Sequence, residues 1–218
     1  MNSFIKFIND FSLSNSIADI LKNPTAIAAL AGLLIILIVL LKVKKVKFTT
    51  RIITQIGLAL ALTAVLSLFK IYELPNGGSV TFGSMIPVLL IAFFYGPEIG
   101  LITGFLYGII SLILGPWIVH PVQVLFDYPL AFMALGLAGF FKNNKYLGAI
   151  VGIFGRFICH YISGVVFFAS SAPKGQSPYL FSLIYNGSYL SIDALICLAI
   201  LAILPLKQLY TIVNKSKY

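Results

Sequence analysis

Charge is what this sequence has least of. Only 10% of its 218 residues are charged, whereas 60% are hydrophobic, and the mean hydropathy is +1.02. A soluble domain of this length has too little interior to bury so much apolar surface. The composition therefore excludes an ordinary soluble domain and indicates a protein that resides in the lipid bilayer.

The motifs of several enzyme classes are also missing. There is no Gly-x-x-x-x-Gly-Lys-Ser/Thr loop, no His-Glu-x-x-His or Cys-x-x-Cys pattern and no Gly-x-Ser-x-Gly elbow. The only two cysteines, Cys159 and Cys197, lie within apolar runs, which argues against a disulfide framework. We therefore expect no enzymatic activity, no bound metal and no cofactor.

The sequence contains several long apolar runs without a charged residue. Four of them are Ala26–Leu41, Ile86–Phe94, Leu101–Leu114 and Ala194–Leu204. With their neighbours they predict membrane spans at about residues 25–43, 52–70, 80–95, 98–113, 121–141, 146–170 and 181–205. The predicted fold is an all-α, polytopic membrane protein with about seven crossings, one of them an additional N-terminal helix.

The basic residues predict the orientation of these spans. They cluster between the first and second spans, between the fifth and sixth, and after the last, at Lys42, Lys44, Lys45, Lys47, Arg51, Lys142, Lys145, Lys207, Lys215 and Lys217. With seven spans, all of these clusters fall on one side of the membrane. The positive-inside rule then predicts a multi-pass cell-membrane protein with a cytoplasmic C-terminus and an external N-terminus. The net charge of +9 is thus attributed to topology and not to nucleic-acid binding.

Three polar residues are predicted at one depth in three different spans. Asp127, His160 and Asn186 all fall in the outer half of the membrane, where a polar group is costly and needs a reason. Gln123, Tyr128 and Tyr185 lie at or above that level. Together these side chains predict an externally open pocket for a small, flat, polar and cationic ligand.

Structural explanations for the same residues remain open. An intramembrane histidine commonly hydrogen-bonds a neighbouring helix, and Asp127 would be favoured near the start of a helix. Aromatic residues at span ends are typical of the membrane interface. Deeper in the membrane, Arg156 and Asp193 are predicted at similar depths, which suggests a structural ion pair between helices.

Small residues recur at helical spacing in three spans. They are Gly57 and Ala61, then Gly100, Gly104 and Gly108, then Gly148 and Gly152. Stripes of this kind let helices approach closely in a membrane, and internal packing is the expected use of each.

Several separated motifs resemble one transporter family. They are Leu74-Pro-Asn-Gly-Gly-Ser-Val-Thr, His120-Pro-Val-Gln-Val-Leu-Phe-Asp-Tyr, His160-Tyr-Ile-Ser-Gly-Val-Val-Phe-Phe, Ala172-Pro-Lys-Gly and Tyr185-Asn-Gly-Ser-Tyr. In this order, over roughly residues 50–208, they resemble the thiamine-specific S component of energy-coupling factor (ECF) transporters.

The resemblance implies a substrate-binding membrane domain at residues 51–218 with six core helices. Residues 1–50 would carry the additional transmembrane helix and a basic cytoplasmic linker. It further implies high-affinity thiamine binding near the outer surface, and docking onto a module of one transmembrane T component and two ATPase subunits.

The resemblance also implies roles for particular residues. Asp127, His160 and Asn186 would contact the vitamin, Tyr128, Gly164 and Phe168 would complete the pocket, and Trp117 would supply an aromatic wall. Gly57 and Ala61 correspond to the stripe that docks on the T component. The loop at about residues 71–79 would close over the ligand. Some family members have tryptophan where this chain has Phe168 and tyrosine where it has Phe181, and members also have glutamate at the position of Asp127.

Two other functions remain open on the sequence. One is an S component for another ligand, such as a thiamine precursor or riboflavin. The other is an intramembrane enzyme or a small autonomous channel, although seven spans in 218 residues is small for a carrier built from repeats.

Overall fold

A computed structural model describes residues 48–114 and 117–215 of the chain. The predicted span at about residues 25–43, and with it the additional N-terminal helix, lies outside the described residues.

Seven longer helices, one small hairpin and two short 3-10 turns at Pro75–Gly77 and Ala169–Ser171 form the regular structure of the described residues. The helices are α1 (Thr50–Leu68), α2 (Ile86–Tyr95), α3 (Pro97–Ser111), α4 (Pro121–Phe141), α5 (Lys145–Phe167), α6 (Pro178–Ile203) and α7 (Leu206–Lys215). Strands β1 (Lys70–Glu73) and β2 (Ser79–Thr81) form an antiparallel pair between α1 and α2. The prediction of an all-α polytopic membrane fold is confirmed, and the six helices α1–α6 correspond to the six predicted spans after residue 50.

The helix starts follow local sequence signals. The Thr49 hydroxyl accepts a hydrogen bond from the Ile52 N–H, the Asn144 amide oxygen from Leu147, and the Ser177 hydroxyl from Leu180. Each of these side chains satisfies a backbone donor that the first helical turn leaves without a partner.

Four of the helices are long and apolar enough to cross a bilayer. These are α1, α4, α5 and α6, while α2 and α3 are shorter apolar helices. Helix α2 has 10 residues and so rises only about 15 Å, roughly half of the hydrocarbon thickness. The preceding residues Val80–Met85 are mostly buried within the protein, which is the condition for non-helical backbone at membrane depth.

The sequence prediction for this third span was wrong in one respect. A continuous span was predicted at 80–95, but its first part is strand β2 and a turn, and the helix begins at Ile86. Pro87 consequently lies in the first turn of α2, where a missing N–H costs nothing, and not inside a helix.

The glycine stripes of α3 and α5 are buried in helix contacts. A methyl group on Gly104 would overlap the Phe132 carbonyl of α4, and one on Gly108 would overlap the Pro129 backbone. On α5, a Cβ at Gly152 would lie 2.9 Å from the Leu135 carbonyl oxygen. These two stripes therefore serve internal packing, as predicted. The stripe of α1 does not do so at Gly57, because a Cβ there would meet nothing within 4 Å.

Helix α7 closes one end of the bundle. Its Tyr210 ring lies 6.2 Å from the Phe94 ring at the end of α2, and the Arg51 guanidinium donates to the Ile212 carbonyl oxygen at 3.3 Å. The Lys145 ammonium donates to the Leu201 carbonyl at the same end. We call this the terminal-helix end, and the opposite end, which carries the β1–β2 hairpin, the hairpin end.

Candidate functional site

A cavity of about 480 Å³ lies inside the bundle at the hairpin end. We call it the central cavity. The parts of the chain that line it are the last turn of α1, the hairpin, the last turns of α3, Trp117 and the facing sides of α4, α5 and α6. Its volume lies in the range of sites for small molecules.

Most of the residues predicted for the site line this cavity. They are Trp117, Asp127, Tyr128, His160, Gly164, Phe168, Tyr185 and Asn186. Side chains of three separate helices are therefore brought to one cavity, as their common depth predicts. The exception is Gln123, which is buried behind Asp127 and does not line the cavity.

A carboxylate, an imidazole and a carboxamide are joined in a chain of hydrogen bonds. The Asp127 Oδ1 atom lies 3.1 Å from His160 Nδ1, and its Oδ2 atom accepts from Gln123 Nε2 at 2.6 Å. The Arg156 Nε–H donates to His160 Nε2 at 3.3 Å. Since arginine can only donate, Nε2 is the acceptor and the imidazole proton lies on Nδ1, directed at Asp127. Both ring nitrogens of His160 thus have protein partners.

Asp127 and Tyr128 owe their placement to an irregular turn. Residues Phe126–Leu130 of α4 form a π-helical turn that contains Pro129, which has no N–H to donate. A wider turn accommodates the missing donor and shifts the register of the side chains that follow. In this turn Asp127 and Tyr128, although adjacent in sequence, both line the cavity.

Gln123 holds two parts of the site together. Its Nε2 donates to the Trp117 carbonyl at 3.0 Å as well as to Asp127, and its Oε1 accepts from the Val119 N–H at 3.1 Å. Because these bonds engage both ends of its amide with protein groups, Gln123 lies behind the cavity-lining carboxylate and not in the cavity. The sequence prediction that Gln123 lines the pocket is therefore corrected to a supporting position.

Asn186 and Gly164 define the contact between α5 and α6. The Asn186 Nδ2 atom donates to the His160 carbonyl at 3.2 Å and to Ser182, while Oδ1 accepts from the Tyr189 hydroxyl at 3.3 Å. A Cβ on Gly164 would overlap the Ser182 hydroxyl. Gly164 therefore allows the close approach that puts the Asn186 amide against the backbone of His160.

The backbone of Trp117 is held by hydrogen bonds to the Tyr128 hydroxyl. The Trp117 N–H donates to the Tyr128 hydroxyl at 2.6 Å, and that hydroxyl donates in turn to the Trp117 carbonyl at 3.3 Å. The Trp117 side chain is 47% exposed, and Phe168 lines the cavity from the end of α5. Tyr128 thus fixes the loop that carries the tryptophan.

Tyr185 fastens the hairpin over the cavity. Its hydroxyl accepts from the Gly78 N–H at 3.0 Å and donates to the Pro75 carbonyl. A Cβ on Gly78 would lie 2.8 Å from the Tyr185 hydroxyl oxygen, so a larger residue there would displace the group that holds the hairpin. The loop predicted at about residues 71–79 coincides with most of this hairpin and lines the cavity through Glu73 and residues 76–79.

The expected ion pair between Arg156 and Asp193 does not form. Asp193 Oδ1 instead accepts from the Thr81 N–H at 2.8 Å and from the Thr81 hydroxyl at 3.3 Å. Arg156 lies against the Phe132 ring, 4.4 Å from its centroid, and turns its Nε to His160. The depth estimate was sound, but a backbone donor from the hairpin satisfies the carboxylate.

Sequence reasoning missed several lining residues. They include Lys70 and Glu73, which form an ion pair at 2.7 Å, and Tyr107, Phe132, Arg156 and Tyr189. Arg156 had one available signal, its position one helical turn from His160 on the same face of α5. Tyr189 had the same signal, because it lies one helical turn after Tyr185 on α6. Lys70 and Glu73 had none, because no periodicity places the hairpin against the cavity.

The fold and site define a polytopic membrane protein with a ligand-sized cavity opening at one end. Residues 53–213 match the family described as thiamine transporter protein (Thia_YuaJ), and the chain belongs to this family.

Named relatives agree with this assignment. The chain is 38% identical over 149 residues to the thiamine transporter ThiT of Bacillus subtilis, which covers 61% of this chain and 77% of the relative. It is 31% identical over 140 residues to the thiamine transporter ThiT of Lacticaseibacillus paracasei, covering 55% and 70% respectively. A solved structure of ThiT from Listeria monocytogenes is similar with a TM-score of 0.67 and 26% identity, over 74% of this chain and 96% of that one.

Proposed function

We propose that this chain is the thiamine-binding S component of an ECF importer, and that residues 51–218 form its substrate-binding domain. In this role it has no enzymatic activity of its own. It captures thiamine with high affinity at the hairpin end and docks on a module of one T component and two ATPase subunits. The observation that carries the proposal is the central cavity, which combines an anionic Asp127 with aromatic walls in a member of the thiamine transporter family.

The chemistry of thiamine fits the groups that line the cavity. Thiamine joins a cationic thiazolium ring to an aminopyrimidine that carries both donors and acceptors. Asp127 keeps acceptor capacity beyond its bonds to His160 and Gln123, because a carboxylate has about four acceptor positions. An aromatic face over a desolvated cation contributes about 2 kcal/mol, and Trp117, Tyr128 and Phe168 are available for stacking.

The orientation follows from the ends of the bundle. Arg51, Lys142, Lys145 and Lys207 belong to the terminal-helix end, which the positive-inside rule assigns to the cytoplasm. The hairpin end, with the mouth of the cavity, then faces the exterior. The C-terminus is cytoplasmic in this orientation, and an odd number of spans puts the N-terminus outside.

The docking surface is the open face of α1. Gly57 and Ala61 are exposed, and so are the neighbouring Leu58, Leu62 and Val65 on the same side of the helix. A second helix can approach closely where small residues leave room, which suits a transmembrane partner such as the T component.

Thiamine binding by the purified chain tests the proposal directly. Trp117 is the only tryptophan of the chain and lies at the cavity, so thiamine should quench its fluorescence with an affinity tighter than micromolar. Asp127→Asn removes the anionic acceptor and should weaken binding by about 10- to 100-fold, because hydrogen bonds to charged groups contribute about 1.5–3 kcal/mol.

Glu98→Gln is the matched control, since Glu98 lies in the first turn of α3, away from the cavity-lining Ser111 at its other end. This variant should bind like the wild type. Weak thiamine binding that Asp127→Asn leaves unchanged would count against the proposal, and tighter binding of riboflavin or a thiamine precursor would assign another vitamin. Uptake by vesicles that contain only this chain would instead indicate an autonomous channel.

A further inference from the structure

Helix α7 runs across the end of the bundle. It follows the end of α6 after Pro205, its Tyr210 ring lies near Phe94 at the end of α2, and its Ile212 carbonyl accepts from Arg51 at the start of α1. These three spans all end at the terminal-helix end. A helix that meets all three therefore lies parallel to the membrane surface, at the level of the lipid headgroups.

The two faces of α7 differ in polarity. Leu206, Leu209 and Val213 recur at helical spacing on one face and are half-buried, and Leu206 packs against the core of the bundle. The opposite face is polar and exposed, with Lys207, Gln208 and Thr211. An amphipathic helix with lysine on its polar face is typical of helices that lie in a membrane interface.

Positive charge is present at both ends of α7. Lys207 is exposed in its first turn, and the Lys145 ammonium donates to the Leu201 carbonyl in the preceding last turn of α6. Arg51 contacts the other end of the helix, at Ile212. The partial positive charge of a helix N-terminus does not favour a lysine, so Lys207 does not stabilise α7 through the helix dipole.

Little negative charge offsets these groups. Helix α7 contains no Asp or Glu, and among the described acidic residues only Glu98 belongs to this end. A Cβ on Gly96 would lie 3.3 Å from a Glu98 carboxylate oxygen and 3.4 Å from the Lys142 ammonium, so Glu98 lies near the lysine of the α4–α5 loop. The surroundings of α7 are therefore net positive.

One apolar side chain lies outside the packed face of α7. Ile212, beside Arg51, is 68% exposed. In a membrane interface such a side chain enters the apolar layer, while basic groups nearby stay with the headgroups. Charge and apolar exposure thus both fit a lipid surface.

We propose that α7, with Lys207 at its start and Arg51 at its end, binds anionic phospholipids of the surrounding leaflet. The basic side chains contact the headgroup phosphates and Ile212 enters the apolar layer beneath them. This inference goes beyond thiamine binding and is independent of it. In the proposed orientation the lipids belong to the cytoplasmic leaflet, whose anionic lipids attract basic segments.

A tryptophan on α7 tests this contact locally. Trp117 is the only tryptophan, so Ile212→Trp in a Trp117→Phe background gives the full chain one reporter on the exposed side of α7. The chain is reconstituted in phosphatidylcholine vesicles that contain an equal small fraction of brominated phosphatidylglycerol or brominated phosphatidylcholine. The anionic lipid should quench the reporter with an apparent affinity about 10-fold higher or more. Both leaflets have the same composition, so the orientation of the chain does not affect the result.

Lys207→Gln should lower this preference about 5-fold, the effect expected for one basic group near an anionic surface. Lys174→Gln is the matched control, because Lys174 is also exposed but lies in the α5–α6 connection at the opposite end of the bundle. It should leave the preference unchanged.

Three results would overturn the proposal. Equal quenching by the two lipids would show that α7 does not select an anionic headgroup, and an absence of quenching by either would place α7 away from lipid. Loss of the preference on adding glycerol phosphate to the solution would show that the basic groups bind a free phosphate and not a lipid.

A second measurement serves if the tryptophan variant fails to fold. Native mass spectrometry of the delipidated wild type should show stronger binding of phosphatidylglycerol than of phosphatidylcholine, with the difference reduced about 5-fold in Lys207→Gln. The same difference in both proteins would contradict the proposal. A thiamine titration of the wild type decides the proposed function separately.

Discussion

At the scale of single residues, the polar groups of the site mostly bind one another. Both nitrogens of His160 and the amide of Asn186 have protein partners, which hold these side chains in place at the cavity. Asp127 and Arg156 are the charged members of this network that keep capacity for a ligand. A preformed network of this kind reduces the ordering cost of binding.

The sequence predicted the location of these residues better than their contacts. Depth in the membrane follows from position along a span, which is why Asp127, His160 and Asn186 could be placed together. Contacts depend on the irregular turn of α4 and on loop backbone, as with Asp193, whose partner is the Thr81 N–H. Gln123 illustrates the same limit, because its depth was right and its direction was not.

Gly164→Ala tests the close contact of α5 with α6. The added methyl group would overlap the Ser182 hydroxyl, and separating the helices would disturb the Asn186 amide. We expect a loss of about 1–3 kcal/mol in the free energy of unfolding, which is typical of overpacking, and weaker thiamine binding. Thermal unfolding in detergent and a thiamine titration measure the two effects.

Gly187→Ala is the control for this change. Gly187 also lies within a helix, but its nearest neighbour to an added Cβ is a Phe157 ring carbon at 4.0 Å. Alanine there should be neutral or slightly stabilising, because alanine favours helix more than glycine. If both alanine variants behave alike, the helix contact at Gly164 does not constrain the site.

At the scale of elements, the β1–β2 hairpin is the part of the fold that hydropathy did not predict. Residues 80–85 contain no charge and run directly into the apolar residues of α2, so hydropathy placed them in the same membrane span. The turn itself requires backbone that only particular residues adopt: Asn76 has φ 66° and Gly77 has φ 90°. A Pro-Asn-Gly-Gly run is typical of a turn, but it does not indicate that the flanking residues pair as strands.

Tyr185→Phe tests whether the hairpin closes the cavity. The variant retains the ring and loses the hydroxyl that bonds Gly78 and Pro75, so the loop should open more often. We expect the dissociation rate of thiamine to rise by about 5- to 10-fold, as for the loss of a hydrogen bond of about 1 kcal/mol. Stopped-flow recording of Trp117 fluorescence measures this rate.

Tyr179→Phe provides the comparison, since Tyr179 is in the same helix and its side chain is 61% exposed. Its dissociation rate should equal that of the wild type. An unchanged rate in Tyr185→Phe would mean that the hydroxyl does not limit the opening of the hairpin.

At the scale of the whole molecule, the six-helix bundle separates two surfaces. The central cavity lies at the hairpin end, between α3, α4, α5 and α6, whereas the open face of α1 runs along the outside of the bundle. Hydropathy predicted the number and order of these helices because burial in lipid imposes it. Spacing alone does not indicate which small-residue stripe stays open, because the three stripes have the same spacing and differ only in what packs against them. Only the family resemblance singled out Gly57 and Ala61.

Gly57→Leu tests the open face of α1 independently of substrate binding. A side chain at Gly57 meets no neighbour, so the fold and the thiamine affinity should be unchanged. A bulky residue would, however, prevent close approach of another helix, and association with the T component and ATPase subunits should weaken by about tenfold or more. Co-purification with the module and thiamine uptake into vesicles measure this loss.

Ala202→Leu is the corresponding change on a surface not assigned to docking, since Ala202 is exposed near the end of α6. This variant should associate and transport like the wild type. Ser67 and Leu68 in the last turn of α1 line the cavity. A partner that moves α1 would therefore also change the cavity wall. Full uptake by Gly57→Leu would show that docking uses another face.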